Sequence, residues 1–314
     1  MTLFSANFRN MRRVNNNAIN YDSYAYPAGF NIQENEVLRK IMSHQEKIFV
    51  VVNPTIDKQV ALDRALITSQ LMTPKPEICV FVAVDSNTVN LDARNPNIYR
   101  DTDWFEQQIH KPLREAGLKY RIEISWSNDW QGSILASAKH FGATLIMIRA
   151  GKPIKSRRFI FAESKWELLK EATCPVVLVR DDAKPQRKVV LSAVNFQASR
   201  VNQDILNKNI LERGMYLAES YGADFHVVNA YIDSLLYPDR GRLAKQTGLN
   251  QSNTHVEKGY TDEVISKVAK KVDADVVVIG TLGQTGLTKT RRGNTAERVI
   301  SALDVDVVVV NSEY

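Results

Sequence analysis

The chain has 314 residues, 44% of them hydrophobic, and a formal charge of +6. That length and apolar content allow two domains of ordinary size with real cores. The charge is spread as +2, +3 and +1 over residues 1–45, 46–185 and 186–314, with no basic stripe, base-stacking motif or zinc-finger spacing, which argues against a nucleic-acid binder. No run of 18 apolar residues and no leader-like apolar segment occurs, so the expected setting is cytoplasmic, without a membrane span.

Residues 1–45 read as an N-terminal extension. The stretch VNNNAINYDSYAYPAGFN is rich in Asn and Tyr and has no apolar period, so little order is expected before Glu46. Met42, directly before SHQEKIFVVV, is an alternative starting point for the chain.

Residues 46–182 form the first expected domain. Apolar, β-branched runs such as IFVVVNPTID (48–57) and ICVFVAV (78–84) alternate with segments long enough for helices. Strands that are apolar throughout, separated by helices, imply a parallel sheet covered on both faces. Cys79 and Cys174 lie inside such runs and read as small core residues rather than a disulfide framework. RDDAKPQRK (180–188) is polar and holds a proline, a linker by composition.

Residues 186–314 repeat the first domain. Moved forward by 131 positions, residues 143–179 meet 274–310 without a gap, so that Ile148 falls on Ile279, Leu169 on Ile300 and Val179 on Val310. VVLSAVNFQA (189–198) matches 48–57, and DFHVVNA (224–230) matches 78–84. Each unit reads strand, long helix, strand, linker with a helix, strand, helix, strand, helix, strand. The expectation is two tandem doubly wound α/β domains, with ligands at the carboxyl ends of the strands.

Near the end of the second unit stands GTLGQTGLTKTRRGNT (280–295), between the valine run VVVIG and the helical segment AERVISAL. A strand-to-helix turn offers free backbone N–H groups at the helix start, and glycines let that backbone approach a guest, so an anion is the natural ligand. Asn294 or Thr295 is placed to cap the new helix, and Lys289, Arg291 and Arg292 add positive charge. A solvent-facing loop with a helix cap is the plainer alternative. GxxxxGK[ST] and GxGxxG are both absent, and the spacing is Gly280-x2-Gly283-x9-Gly293.

That spacing resembles the nucleotide loop of the universal stress protein family, whose ATP-binding members read G-x2-G-x9-G-[ST]. The internal repeat, VNFQAS after the first strand of unit two, HVEKG (255–259) and RRGNTAERVI (291–300) extend the resemblance over about residues 47–312, to the tandem two-domain type found in bacteria. It implies a five-stranded parallel sheet of order 3-2-1-4-5 in each domain, with helices on both faces, and a pairing of the two domains through their last strands. Here TCPVVLVR would meet VDVVVVNS within one chain, and the runs 176–179 and 307–310 would otherwise be exposed apolar edges.

The resemblance also implies the ligand set: Asn195, Val228, Gly259, Gly280, Thr281, Gly283, Gly286, Gly293, Asn294 and Thr295, with ATP or AMP as the ligand. Two positions depart from the family, Asn195 where it has Asp and Asn294 where it has Ser or Thr. Asn still donates and accepts hydrogen bonds, but with different geometry. Unit one departs further: Asn53 stands at the Asp position, Arg149, Lys152 and Ala162 at the three glycines, and Glu163 after them. An L-residue forced to positive φ costs on the order of 1 kcal/mol or more. The first site is therefore expected not to hold nucleotide.

The five histidines show no HExxH spacing, His255 reads as a packed residue, and Asp275 as a capping or pairing residue rather than a magnesium ligand. With no nucleophile–base pair and no metal cluster to nominate, the expected function is a non-catalytic stress-response binder of a nucleotide or phosphorylated ligand in unit two, unit one being structural. The alternatives are the same fold with a lipid-like or other small ligand, or a protein-interaction scaffold, and after them a nucleotide-activating enzyme.

Overall fold

Ten β-branched runs become ten strands. In the computed structural model, which describes residues 45–54, 56, 58–85, 102–150, 163–197, 201–282 and 295–312, they are β1 (Lys47–Val52), β2 (Glu77–Asp85), β3 (Lys119–Ser127), β4 (Leu145–Arg149), β5 (Val176–Val179), β6 (Val189–Val194), β7 (Asp224–Tyr231), β8 (Thr254–Lys258), β9 (Val276–Thr281) and β10 (Asp306–Asn311). They lie in one sheet of order β3-β2-β1-β4-β5-β10-β9-β6-β7-β8. Counted from its own first strand, each half has the order 3-2-1-4-5. All pairings within a half are parallel. The halves meet through their last strands, antiparallel, with Val307 opposite Leu178, Val308 opposite Val177 and Val309 opposite Val176. The two expected five-stranded sheets are thus a single ten-stranded one, and neither VVLV nor DVVVVN is left as an edge.

Successive residues of a strand point to opposite faces, so each run feeds two cores. Ile48, Val50 and Val52 enter one, with α1 (Val60–Leu71), α2 (Thr102–Phe105), a π-helical turn (Glu106–His110), α3 (Lys111–Glu115), α6 (Val201–Tyr221) and α7 (Arg240–Thr247). Phe49 and Val51 enter the other, with α4 (Trp130–Phe141), α5 (Glu163–Glu171), α8 (Thr261–Lys271) and α9 (Thr295–Ala302). Cys79 and Cys174 are buried in the second core, and burial pushes their thiols up to about 11 and about 12, so both stay protonated and unreactive.

Helix ends follow from local chemistry. Asp129 accepts the Gly132 N–H at 2.9 Å to start α4, and Gly142, at φ +72°, ends it in the left-handed conformation. Helix α8 has Asp262 and Glu263 in its first turn and Lys270 and Lys271 in its last, the order the helix dipole favours, and buries Val264, Ile265, Val268 and Ala269.

Polar contacts strap the halves together. The Thr68 and Tyr221 hydroxyls are 2.8 Å apart, joining α1 to α6. Asn311 donates to the Ala172 carbonyl and accepts from Asn209 at its own carbonyl, and Arg213 pairs with Glu46. The linker is bound rather than loose: Arg64 donates to the carbonyls of Lys184 and Pro185, and Asp275 accepts from the N–H groups of Lys188 and Val189. Among the described residues no helix is long and apolar enough to cross a membrane. Of the expected extension, residues 1–44 lie outside the described residues.

Candidate functional site

In an open α/β sheet a ligand cleft forms where neighbouring strands send their chains to opposite faces. In the second half that point lies between the carboxyl ends of β6 and β9, which are adjacent, β6 having β7 on its other side. Asn195 follows β6 there and is exposed. Its side-chain oxygen accepts the Gln197 N–H at 3.1 Å, a tight Asx turn. Two buried amides hold this turn. Asn207, on α6, accepts the Asn195 N–H at 2.9 Å and donates to the Asn195 carbonyl at 2.8 Å. Asn229, near the end of β7, accepts the Phe196 N–H at 2.8 Å and donates to the Ala230 carbonyl at 3.0 Å. A buried amide left unpaired costs about 1–3 kcal/mol, so these bonds fix the turn firmly.

Gly280 and Thr281 close β9 at the same end, Thr281 buried and opposite Asn311 of β10. What demands glycine at 280 is packing. A Cβ there would lie 2.7 Å from Cδ1 and Cγ of Leu206 and 2.8 Å from Cδ1 of Ile210. Helix α6 therefore rests on the bare backbone of β9, and this glycine has a full structural explanation without a ligand.

Gly259 follows β8 at φ +151°, donates its N–H to the Tyr231 carbonyl at 2.8 Å, and has Val264 over it. The Val228 side chain is 0% exposed, within the core that holds Val264 and Ile265, so only its main chain could serve a ligand. Thr295 is exposed as the first residue of α9. Gly283, Gly286, Gly293 and Asn294, with Lys289, Arg291 and Arg292, lie outside the described residues.

The first half is furnished differently at the matching place. Asn53 follows β1, and its carbonyl accepts from the Gln59 amide at 2.9 Å. Arg149, at the position of Gly280, forms a two-pronged pair with Asp181, Nε to Oδ1 and Nη2 to Oδ2 at 2.6 Å each, which raises its already high pKa. That fork ties the end of β4 to the residues after β5. Lys152 and Ala162 lie outside the described residues, and Glu163 begins α5.

His255 is the second residue of β8, at the strand's amino end and away from the cleft. Its Nε2 is 3.1 Å from Nδ1 of His226, with the rings stacked at 5.4 Å. Burial, then the neighbouring His226, Lys271 and Arg240, push His255 down to about 4 against the opposing Glu257, and burial lowers His226 against Asp224. Both rings are held neutral while the unfolded chain takes up protons near 6.5. Stability from this pair is full above that value and drains away as pH falls from 6.5 towards 4. Urea unfolding at about pH 7 and about pH 5 should therefore show a smaller loss for His255→Gln than for the unaltered protein.

Asp275 pairs as expected, its Oδ1 3.1 Å from Lys184 Nζ and its Oδ2 on the start of β6, again at the end opposite the cleft. Among the described residues no group of three His, Cys, Asp or Glu side chains is arranged to hold a metal ion. The residues that sequence reasoning missed are Asn207 and Asn229. Their signal was faint: a polar residue in the register of a helix's buried face, beside Leu206 and Ile210, and another ending an apolar strand.

The family model described as Universal stress protein family matches residues 235–311. Universal stress protein E of Escherichia coli (strain K12) is 29% identical over 306 residues, covering 87% of this chain and 96% of its own. A putative universal stress protein of Pseudomonas aeruginosa UCBPP-PA14 superposes with a TM-score of 0.69 at 25% identity, over 86% of this chain and 95% of its own. A functionally unknown protein of Pseudomonas aeruginosa PAO1 shares the fold with a TM-score of 0.71 at 24% identity, over 87% of this chain and 95% of its own.

Proposed function

We propose that the chain is a universal stress protein of the tandem two-domain kind, a non-catalytic stress-response protein that binds a nucleotide or phosphorylated ligand in its second half, the first half serving as structural partner. The family model over 235–311 and the similarity to universal stress protein E over most of the chain support this. One observation carries this reading: the two switch points are unequal. In the first half Arg149 ends β4 and is forked to Asp181 after β5, whereas in the second the matching position is Gly280, without a side chain, and the Asn195 turn is held rigid by Asn207 and Asn229. A rigid turn beside the glycine-rich strand-to-helix segment 280–295 is the kind of setting in which a phosphate reaches main-chain donors. The donors for that phosphate are assigned to Gly283, Gly293 and Asn294, and the adenosine side to Asn195.

Titration calorimetry of the full chain with ATP and AMP tests it. Binding is expected in the unaltered protein, and Gly293→Asp, which adds a side chain and a negative charge at the phosphate seat, should abolish the heat. No heat with either nucleotide overturns the reading.

A second reading has its own support. Val201 and Ile205 at the start of α6, Ile232, Leu235 and Tyr237 after β7, and Tyr260 after β8 are exposed apolar side chains, Leu235 at 92%, all following carboxyl ends of strands in the second half. An apolar rim of this kind fits a lipid-like ligand or a protein partner. Native mass spectrometry separates the readings: an apolar adduct supports this one, a nucleotide adduct the first.

A further inference from the structure

A ten-stranded open sheet has two edges, and here they are built differently. At one end β8 is five residues long, and its Glu257 is bracketed by Lys267 and Lys271 at 2.6 and 4.0 Å. Short length and charge are the usual protection of an edge. At the other end β3 is nine residues long, and among the described residues no strand pairs with its outer side. Its residues alternate. Lys119, Arg121 and Glu123 lie on one face, Tyr120, Ile122, Ile124 and Trp126 on the other, with Ile124 at 54% and Trp126 at 43% exposure. A strand edge with no neighbouring strand among the described residues, beside an exposed apolar side chain such as Ile124, is a template for a further strand.

The charges on β3 specify which strand. In an antiparallel pair of identical strands with Ile122 facing Ile122, residue 121 stands opposite 123, and 120 opposite 124. Arg121 of each copy then faces Glu123 of the other, and Ile124 covers Tyr120. Within one chain Arg121 and Glu123 already lie 2.8 Å apart, and the Arg121 guanidinium is seated over the Phe141 ring at 4.5 Å. Pairing would turn that ion pair into a ring of four alternating charges. A shift of register by one residue exchanges the charged and apolar faces, so the pattern selects this register.

We propose that β3 is a homodimerisation edge, two copies of the chain pairing antiparallel about Ile122 to extend the sheet. The dimer is isologous, so it closes and does not propagate. Analytical ultracentrifugation of the full chain over a concentration series should show a monomer–dimer equilibrium. Ile124→Lys changes an exposed position, so at concentrations where both proteins are monomeric its thermal unfolding should match that of the unaltered protein, while its dissociation constant rises about tenfold or more. Arg121→Glu and Glu123→Arg should each weaken self-association by placing like charges opposite one another. Mixing those two variants restores opposite charges across the axis and should regenerate a heterodimer. A protein that stays monomeric at every concentration, a dimer indifferent to Ile124→Lys, or charge variants that fail to complement each other would each overturn the assignment.

Discussion

Asp306→Ala is expected to lower the free energy of unfolding by about 3–5 kcal/mol, the cost of stranding buried charge. Asp306 opens β10 and its side chain is 0% exposed. One carboxylate oxygen accepts from Arg187 Nη2 at 2.7 Å and lies 3.2 Å from Arg64 Nε, and the other accepts the Arg180 backbone N–H at 2.9 Å. The arginines come from α1 of the first half, the strand end after β5, and the linker before β6. Burial lowers the Arg64 and Arg180 pKa values, Arg187 adding to the effect at Arg64, and Asp306 opposes it in both. Without that carboxylate, Arg64 and Arg187 would share an enclosed space stripped of their common counter-ion, left to the linker carbonyls, the Tyr221 ring 5.1 Å from Arg187 and, for Arg64, the neighbouring Asp63. Asp306→Asn should cost less, because an amide oxygen still serves the Arg180 N–H. In the Asp306→Ala background, Arg64→Met should cost less than it does alone, since the two side chains share one network. Denaturant unfolding checks all three, and a loss below about 1 kcal/mol for Asp306→Ala would show that the cluster is solvated or relaxes freely.

The parts of this molecule written locally were legible in its sequence, and the parts assembled from distant positions were not. Valine and isoleucine runs at a repeating offset announce parallel strands buried on both faces, and two runs that would otherwise be apolar edges announce their own pairing. The strap around Asp306 has no such trace. Arg64, Arg180, Arg187 and Asp306 are spread over most of the chain, and each alone reads as an ordinary surface charge, because a charge reveals its burial only through its partners. The cleft was legible in outline. Asn195 and the end of β9 stand at the switch point, as strand order requires, while alternation along β7 aims the Val228 side chain into the core. Likewise Asn207 and Asn229 escaped notice because a polar side chain in an apolar register reads as an interruption until its hydrogen bonds are seen.

Gly280→Ala is expected to destabilise the protein by about 1–3 kcal/mol, the usual cost of overfilling a packed interior. Were Gly280 kept only for a ligand, alanine in a strand would be neutral or mildly stabilising, since glycine is the more costly residue to order there. The geometry decides the sign, because the added methyl would sit 2.7 Å from Leu206 and 2.8 Å from Ile210. Both belong to α6, which is also brought close to the sheet by Gly214, where a Cβ would meet Ser192 and Phe225. Shortening Leu206 to alanine in the Gly280→Ala background should therefore recover part of the loss, a coupling that a double-mutant cycle reads directly. Nucleotide calorimetry on the same variants separates the roles of the loop's glycines. If Gly280 serves packing and Gly293 the phosphate, Gly280→Ala lowers stability while leaving residual binding, and Gly293→Asp removes binding with little change in stability. A Gly280→Ala protein of unchanged stability that no longer binds nucleotide would reverse the assignment and return this glycine to the ligand.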